Sequence, residues 1–172
     1  LLCSELLWQH QIAGLADIAD CTVANLTVQE TMGAMAAHVL DGAPPAFALA
    51  GLSMGGYLAQ EIMRRAPERV SRLAILDSSA RSDSTAQAER RRDLIELARN
   101  GRFSGVTSRL LPLFIHPDRL GEVALTETIK GMAESVGREA FLCQQSAIMS
   151  RPDGRRDLAR IACPTLVLCG RQ

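Results

Sequence analysis

Two spacings of apolar positions alternate along the first half of this chain. Continuous runs occur in "PPAFALAGLS" (44–53), "SRLAILDSS" (71–79) and, near the end, "PTLVLCG" (164–170). Each is short and bounded by Pro, Ser or Gly, which predicts buried strands. Between the first two lies "GYLAQEIMRRAPERV" (56–70), with helical spacing and a Pro67 stop. Upstream, β-branched "CTVAN" (21–25) predicts another strand. "LTVQETMGAMAAHVLDG" (26–42) predicts a helix, with Thr27 and Glu30 spaced as a capping box and Gly42 at its end. Strand and helix in alternation imply an α/β fold around a parallel sheet.

From about Ser82 to Arg160 the rhythm changes, and no strand pattern is found. Four helices are predicted, over "TAQAERRRDLIELARNG" (85–101), "FSGVTSRLLPLFI" (103–115), "PDRLGEVALTETIKGMAESVG" (117–137) and "REAFLCQQSAIM" (138–149), separated by Gly, His-Pro and Arg-Pro-Asp-Gly. The expected organisation is a core of residues 1–80 and 161–172 interrupted by a helical cap at 81–160. No repeat or low-complexity segment is found.

A length of 172 residues with 47% apolar composition suits one domain with a real core. Basic and acidic residues balance at 19 each, so no long-range field favours nucleic acid or an anionic membrane. The run Glu89, Arg90, Arg91, Arg92, Asp93 is read as a solvated helix face. Five cysteines (Cys3, Cys21, Cys143, Cys163, Cys169) form no C-x-x-C pair, which points to reduced thiols. With no signal-peptide pattern and no apolar run of membrane-spanning length, the expectation is a cytoplasmic protein acting on a small molecule, without cofactor or metal.

The chemistry gathers at "GLSMG" (51–55), a G-x-S-x-G motif with a strand before it and a helix after. On such a turn the Ser53 hydroxyl stands above the carboxyl edge of the sheet. Gly51 and Gly55 are expected to relieve backbone crowding, and the Met54 N–H sits at a helix N-terminus suited to an oxyanion. A plain glycine-rich strand-to-helix turn is the alternative reading of the same residues.

With this motif, "LLCSELLWQHQ" and "CPTLVLCGRQ", the chain resembles the α/β-hydrolase superfamily, in its carboxylesterase-like branch with a helical cap after the sixth strand. The resemblance implies a serine hydrolase cleaving carboxylic esters or thioesters through an acyl-enzyme at Ser53. It implies a second oxyanion N–H at Leu1, or failing that Leu2, both of which also read as core residues. "CTVAN" becomes the fourth strand, with a third expected before Leu1.

A triad further needs a carboxylate and then a histidine after Ser53. Gly170, Arg171 and Gln172 fill the first places of the family's Gly-x-x-Asp pattern, so the acid and the histidine are expected beyond a chain that reads as partial and, by itself, inactive. His10 and His38 precede the serine and read as helix residues. His116 is a candidate base or a substrate-facing cap residue. Asp77, ending a strand, is a candidate acid, or accepts hydrogen bonds from the turn at Ser78 and Ser79. Phe103, Leu110, Leu113, Phe114, Met132 and Phe141 either line an acyl pocket or pack within the cap. A C–C hydrolase or lyase on the same scaffold, and a catalytically degenerate binding protein, remain alternatives.

Overall fold

The sheet forms from the three continuous apolar runs. In the computed structural model, which describes residues 1–106, 108 and 110–171, β1 (Phe47–Leu52), β2 (Val70–Leu76) and β3 (Thr165–Leu168) lie parallel in the order β1-β2-β3. Register pairs Ala50 with Ala74 and Leu52 with Leu76, then Ala74 with Leu166 and Leu76 with Leu168. Parallel strands need a long connection, and helix supplies it here. α3 (Met54–Arg65) carries the chain from β1 to β2.

The 3.6-residue spacing inside α3 determines which face is buried. Leu58, Ala59, Ile62 and Met63 pack with Met32, Met35 and Ala36 of α2 (Met32–Gly42) and with Val70 and Leu73 of β2. Ala147 and Ile148, from the end of α5 (Val123–Met149), complete this main core. The opposite sheet face carries exposed Ala48, Ala50 and Arg72, and Leu166 and Leu168 of β3 are exposed as well. Behind α2, Arg69 donates from both Nη atoms to the carbonyls of Leu40, Ala43 and Pro44, satisfying helix-end acceptors that α2 cannot pair itself.

Two local expectations are corrected. "CTVAN" forms no strand, because a strand exists only through its ladder and this segment pairs with none of the three strands. Asn25 instead bends the chain, its Oδ1 accepting from both the N–H and the hydroxyl of Thr27. The helix that follows is capped by Thr31, not Thr27: its hydroxyl accepts from the Ala34 N–H at 3.1 Å. A capping box does occur elsewhere, between Ser84 and Gln87 at the start of α4 (Thr85–Leu97).

Between β2 and β3 the described residues form helices and turns and no strand. α4 ends in a wide turn at Ala98–Arg102. The predicted helix over 103–115 reduces to one 3-10 turn, Leu111–Leu113, with Thr107 and Arg109 outside the described residues. α5 is a single run broken at Gly137, whose φ of 78° and ψ of 179° belong to glycine alone. Phe103, Leu110 and Phe141 pack into a second apolar cluster with Leu2, Ala98, Val106, Leu111 and Ala133, while Met132 is also buried. Leu113 and Phe114 are exposed. Leu1 touches both clusters and so joins the helical layer to the main core. A short helix, α1 (Gln9–Leu15), carries His10, and α2 carries His38. No helix among the described residues is long and apolar enough to cross a membrane.

Candidate active site at the Ser53 turn

β1 ends at Leu52 and α3 begins at Met54, leaving Ser53 alone to turn the chain, with φ 51° and ψ −110°. A non-glycine residue there is strained by roughly 1–3 kcal/mol and persists only where its surroundings over-determine it. They do. The Ser53 N–H donates to the Leu76 carbonyl at 2.9 Å, tying the turn to the neighbouring strand. Its carbonyl accepts from the N–H groups of Gly56 and Tyr57, at 3.0 and 3.3 Å, and from the Ser78 hydroxyl at 2.8 Å. The residue itself is exposed.

The steric account differs from the sequence expectation at one glycine. A Cβ on Gly51 would collide with the Gly55 carbonyl and the Gly56 nitrogen, so backbone alone excludes any larger residue. Gly55 has open space where its Cβ would be. The second crowded glycine is Gly56, whose Cβ would collide with the Ser78 side chain. Glycine is required on the strand side of the turn and one residue further into the helix than the motif suggests.

Met54 is the first residue of α3, so its N–H has no partner within the helix, and the helix dipole places partial positive charge there. An anion next to Ser53 meets that end of α3.

Behind the turn, buried Gln60 donates from Nε2 to the Gly56 carbonyl at 3.1 Å and to the Ser79 carbonyl at 3.0 Å. The Tyr57 ring lies under the guanidinium of Arg151, 4.1 Å from its centroid. Arg151 and Arg91 each donate at 2.7 Å to the Asp83 carboxylate, and Arg91 also reaches Gln145 at 2.7 Å. Burial alone would raise the Asp83 carboxyl, but the hydrogen bonds and charges of the two arginines outweigh it and hold that group below its ordinary range. Glu61, on the buried side of α3, is likewise pushed up by burial and brought below its ordinary range by Arg65 and Arg64.

Asp77 adjoins the turn, with its own positive φ of 40°. Its N–H donates to the Leu168 carbonyl at 2.8 Å and its Oδ1 accepts from the Gly170 N–H at 2.9 Å. The carboxylate therefore fastens the end of β3 rather than the Ser78–Ser79 turn expected from sequence. His116 is engaged within its own turn: its Nδ1 accepts from the Asp118 N–H at 3.3 Å and lies 3.5 Å from an Asp118 carboxylate oxygen. The Leu2 N–H donates to buried Gln144. The place of Gln172 in the Gly-x-x-Asp pattern lies outside the described residues.

Gly56, Gln60 and Gln144 escaped the sequence reading, and Ser78 figured there as a turn residue beside Asp77 and not as a support of Ser53. Two had a signal: Gly56 makes a second glycine after the motif, and Gln144 interrupts an apolar stripe with Phe141, Ala147 and Ile148.

The described residues contain no group of three His, Cys, Asp or Glu side chains able to hold a metal ion. No curated protein gives a significant match to the chain. Among solved structures, a thermophilic esterase from Thermogutta terrifontis, with malate bound, is similar over 98% of this chain and 68% of its own, with 28% identity and a TM-score of 0.76. The enol-lactonase from Burkholderia xenovorans LB400 is similar over all of this chain and 70% of its own, with 21% identity and a TM-score of 0.81. MenH from S. aureus, at 15% identity and a TM-score of 0.67, covers 99% of this chain with 72% of its own. The last two likenesses speak for the fold alone. Residues 22–137, more than half of the sequence, match the family described as Thioesterase domain, and with a parallel sheet that turns into a helix at a strained serine, the chain belongs to that family and has the α/β-hydrolase fold.

Proposed function

We propose that the protein is a serine hydrolase that cleaves carboxylic esters or thioesters through an acyl-enzyme at Ser53. One observation carries the reading: Ser53 is exposed at φ 51° between β1 and α3, with the first N–H of α3 beside it. Membership of the Thioesterase domain family and likeness to an esterase at 28% identity support the same class.

In this mechanism the Ser53 Oγ attacks the acyl carbon while a histidine accepts its proton. The Met54 N–H and the Leu1 N–H hold the negative oxygen of the tetrahedral intermediate. Collapse breaks the bond to the alcohol or thiol, which leaves with the proton from histidine. Water then adds to the acyl carbon by the same route and releases the acid.

An unassisted serine is a poor nucleophile, so a base and an orienting carboxylate are required. Because His116 and Asp77 are bound to Asp118 and Gly170, neither is assigned these roles. The histidine and acid are sought in polypeptide outside residues 1–172, and the present chain alone is read as inactive. Residues 81–160 act in this reading as a helical cap over a core of 1–80 and 161–172. The substrate is a small acyl compound, since balanced charge favours neither nucleic acid nor a membrane surface, and the proposed place of action is the cytoplasm.

Hydrolysis of p-nitrophenyl acetate by the full-length gene product tests this, together with fluorophosphonate labelling. Ser53→Ala is expected to abolish labelling and to lower turnover on the order of a millionfold, as loss of a triad serine does. His116→Ala is expected to leave the rate within about twofold, because a residue outside the reacting group makes no transition-state contact. Turnover surviving Ser53→Ala, or absent for every acyl substrate, would favour a lyase, C–C hydrolase or binding role; loss with His116→Ala would make His116 the base.

A further inference from the structure

Gln144 is only 3% exposed, and both ends of its amide are in use. Its Oε1 accepts from the Leu2 N–H at 3.0 Å and its Nε2 donates to the Leu26 carbonyl at 3.1 Å. Leu2, 5% exposed, has φ 55°, a left-handed conformation that a leucine leaves unless something holds it. One buried side chain therefore clamps residue 2 to residue 26 across 142 and 118 positions of sequence.

The clamp stands on a rigid base. Gln144 follows the Gly137 break, in the half of α5 whose Ala147 and Ile148 enter the main core. Its neighbour Gln145, 1% exposed, is held by Arg91. Leu1, next to the clamped residue, is packed against both apolar clusters.

We propose that Gln144 is a positioning residue that sets the oxyanion-side segment at Leu1 and Leu2; this rests on the hydrolase reading above. The peptide group is planar and trans, so fixing the Leu2 N–H on Gln144 also fixes the Leu1 Cα and carbonyl that share its plane, and with them the point from which the Leu1 nitrogen projects. The Leu2 N–H is thereby committed to the protein interior, so Leu1 is the residue of this segment left to supply the second oxyanion donor of the proposed mechanism. Without the amide, the left-handed turn at Leu2 relaxes and carries Leu1 out of position.

The test uses the full-length gene product and p-nitrophenyl acetate, with Ser53→Ala as control for the underlying reading. Gln144→Met keeps the length of the side chain and loses both hydrogen bonds. Its kcat is expected to fall about 10- to 100-fold with KM within about twofold, somewhat less than outright loss of an oxyanion donor. Labelling by a fluorophosphonate should still reach one per chain, showing that the folded fraction has not changed.

Gln144→Glu retains an acceptor for the Leu2 N–H and is expected to keep kcat within about threefold. Gln145→Met, equally buried but bonded to Arg91, is expected to lower thermal stability while sparing kcat. A Gln144→Met enzyme with unchanged kcat, or one whose loss merely follows its labelled fraction, would overturn the proposal while leaving the hydrolase reading intact. So would equal losses in Gln145→Met or Gln144→Glu, and if Gln144→Met does not fold, Gln144→Leu, which also lacks both hydrogen bonds, takes its place with the same expected loss. Turnover that survives Ser53→Ala overturns both.

Discussion

The Ser78 hydroxyl donates to the Ser53 carbonyl across 2.8 Å, and the same Ser78 side chain occupies the volume that a Cβ on Gly56 would need. Support for the turn and crowding around it thus come from one residue at the end of the adjacent strand. Placing the hydroxyl there requires glycine at 56.

Gly56→Ala should therefore destabilise the protein by about 1–3 kcal/mol, as overpacking does, and Ser78→Gly should restore much of that loss in the double variant. Gly51→Ala meets backbone instead of a side chain, so no second-site change rescues it. Gly55→Ala, facing open space, is expected to be neutral or stabilising by up to about 1 kcal/mol, through helix propensity. Thermal or denaturant unfolding of the five variants checks the ordering, and a Gly55→Ala loss equal to that of Gly51→Ala contradicts it.

Ser53→Gly removes the side chain that makes φ 51° costly. Stability should rise by roughly 1 kcal/mol even as fluorophosphonate labelling disappears, the opposed outcomes expected when strain is held at a working residue. A fall in melting temperature would mean that the Ser53 side chain makes a stabilising contact that outweighs its backbone strain.

Asp83 predicts a pH dependence. Its carboxyl is held below the ordinary value of 3.8 in the folded protein, so its contribution is fully present above that value and is lost as pH falls through the lower, folded one. At neutral pH Asp83→Asn leaves Arg91 and Arg151 without their shared anion and should cost about 3–5 kcal/mol. The variant's melting temperature should also fall less steeply than the wild type's below pH 4. Parallel acid profiles for the two proteins would exclude Asp83 as a source of that slope.

How much of this was legible in the sequence depends on the distance over which each feature is determined. The Ser53 turn was legible because Gly51, Ser53 and the helix start lie within a few residues and their sterics are local. "CTVAN" misled because β-branching states a preference, while a strand needs a partner that composition does not name. The Thr27 cap failed for a related reason: Asn25 competes for the same hydroxyl and the helix starts later, at Met32. Asp77 was expected to bond its own turn, and its carboxylate finds Gly170 instead, 93 residues away. The helix expected over 103–115 had apolar content enough, but Gly105 adopts φ 63° and Pro112 follows, and among the described residues of that range the helical part is the short turn Leu111–Leu113.

The break at Gly137 has a consequence for how the molecule comes apart. On its C-terminal side α5 is fastened to Leu2, Leu26, Arg91 and, through Ser150 just past its end, to the Met32 N–H; on its N-terminal side Ala133 packs into the second cluster, which Phe141 shares from beyond the break. The two halves of α5 thus meet at Gly137, where no helical backbone geometry transmits an opening from one to the other. Amide protons of residues 138–149 should exchange only with global unfolding, while those of 123–136 exchange earlier, so that the helix on one side of Gly137 opens while the other still holds Leu2 and Leu26.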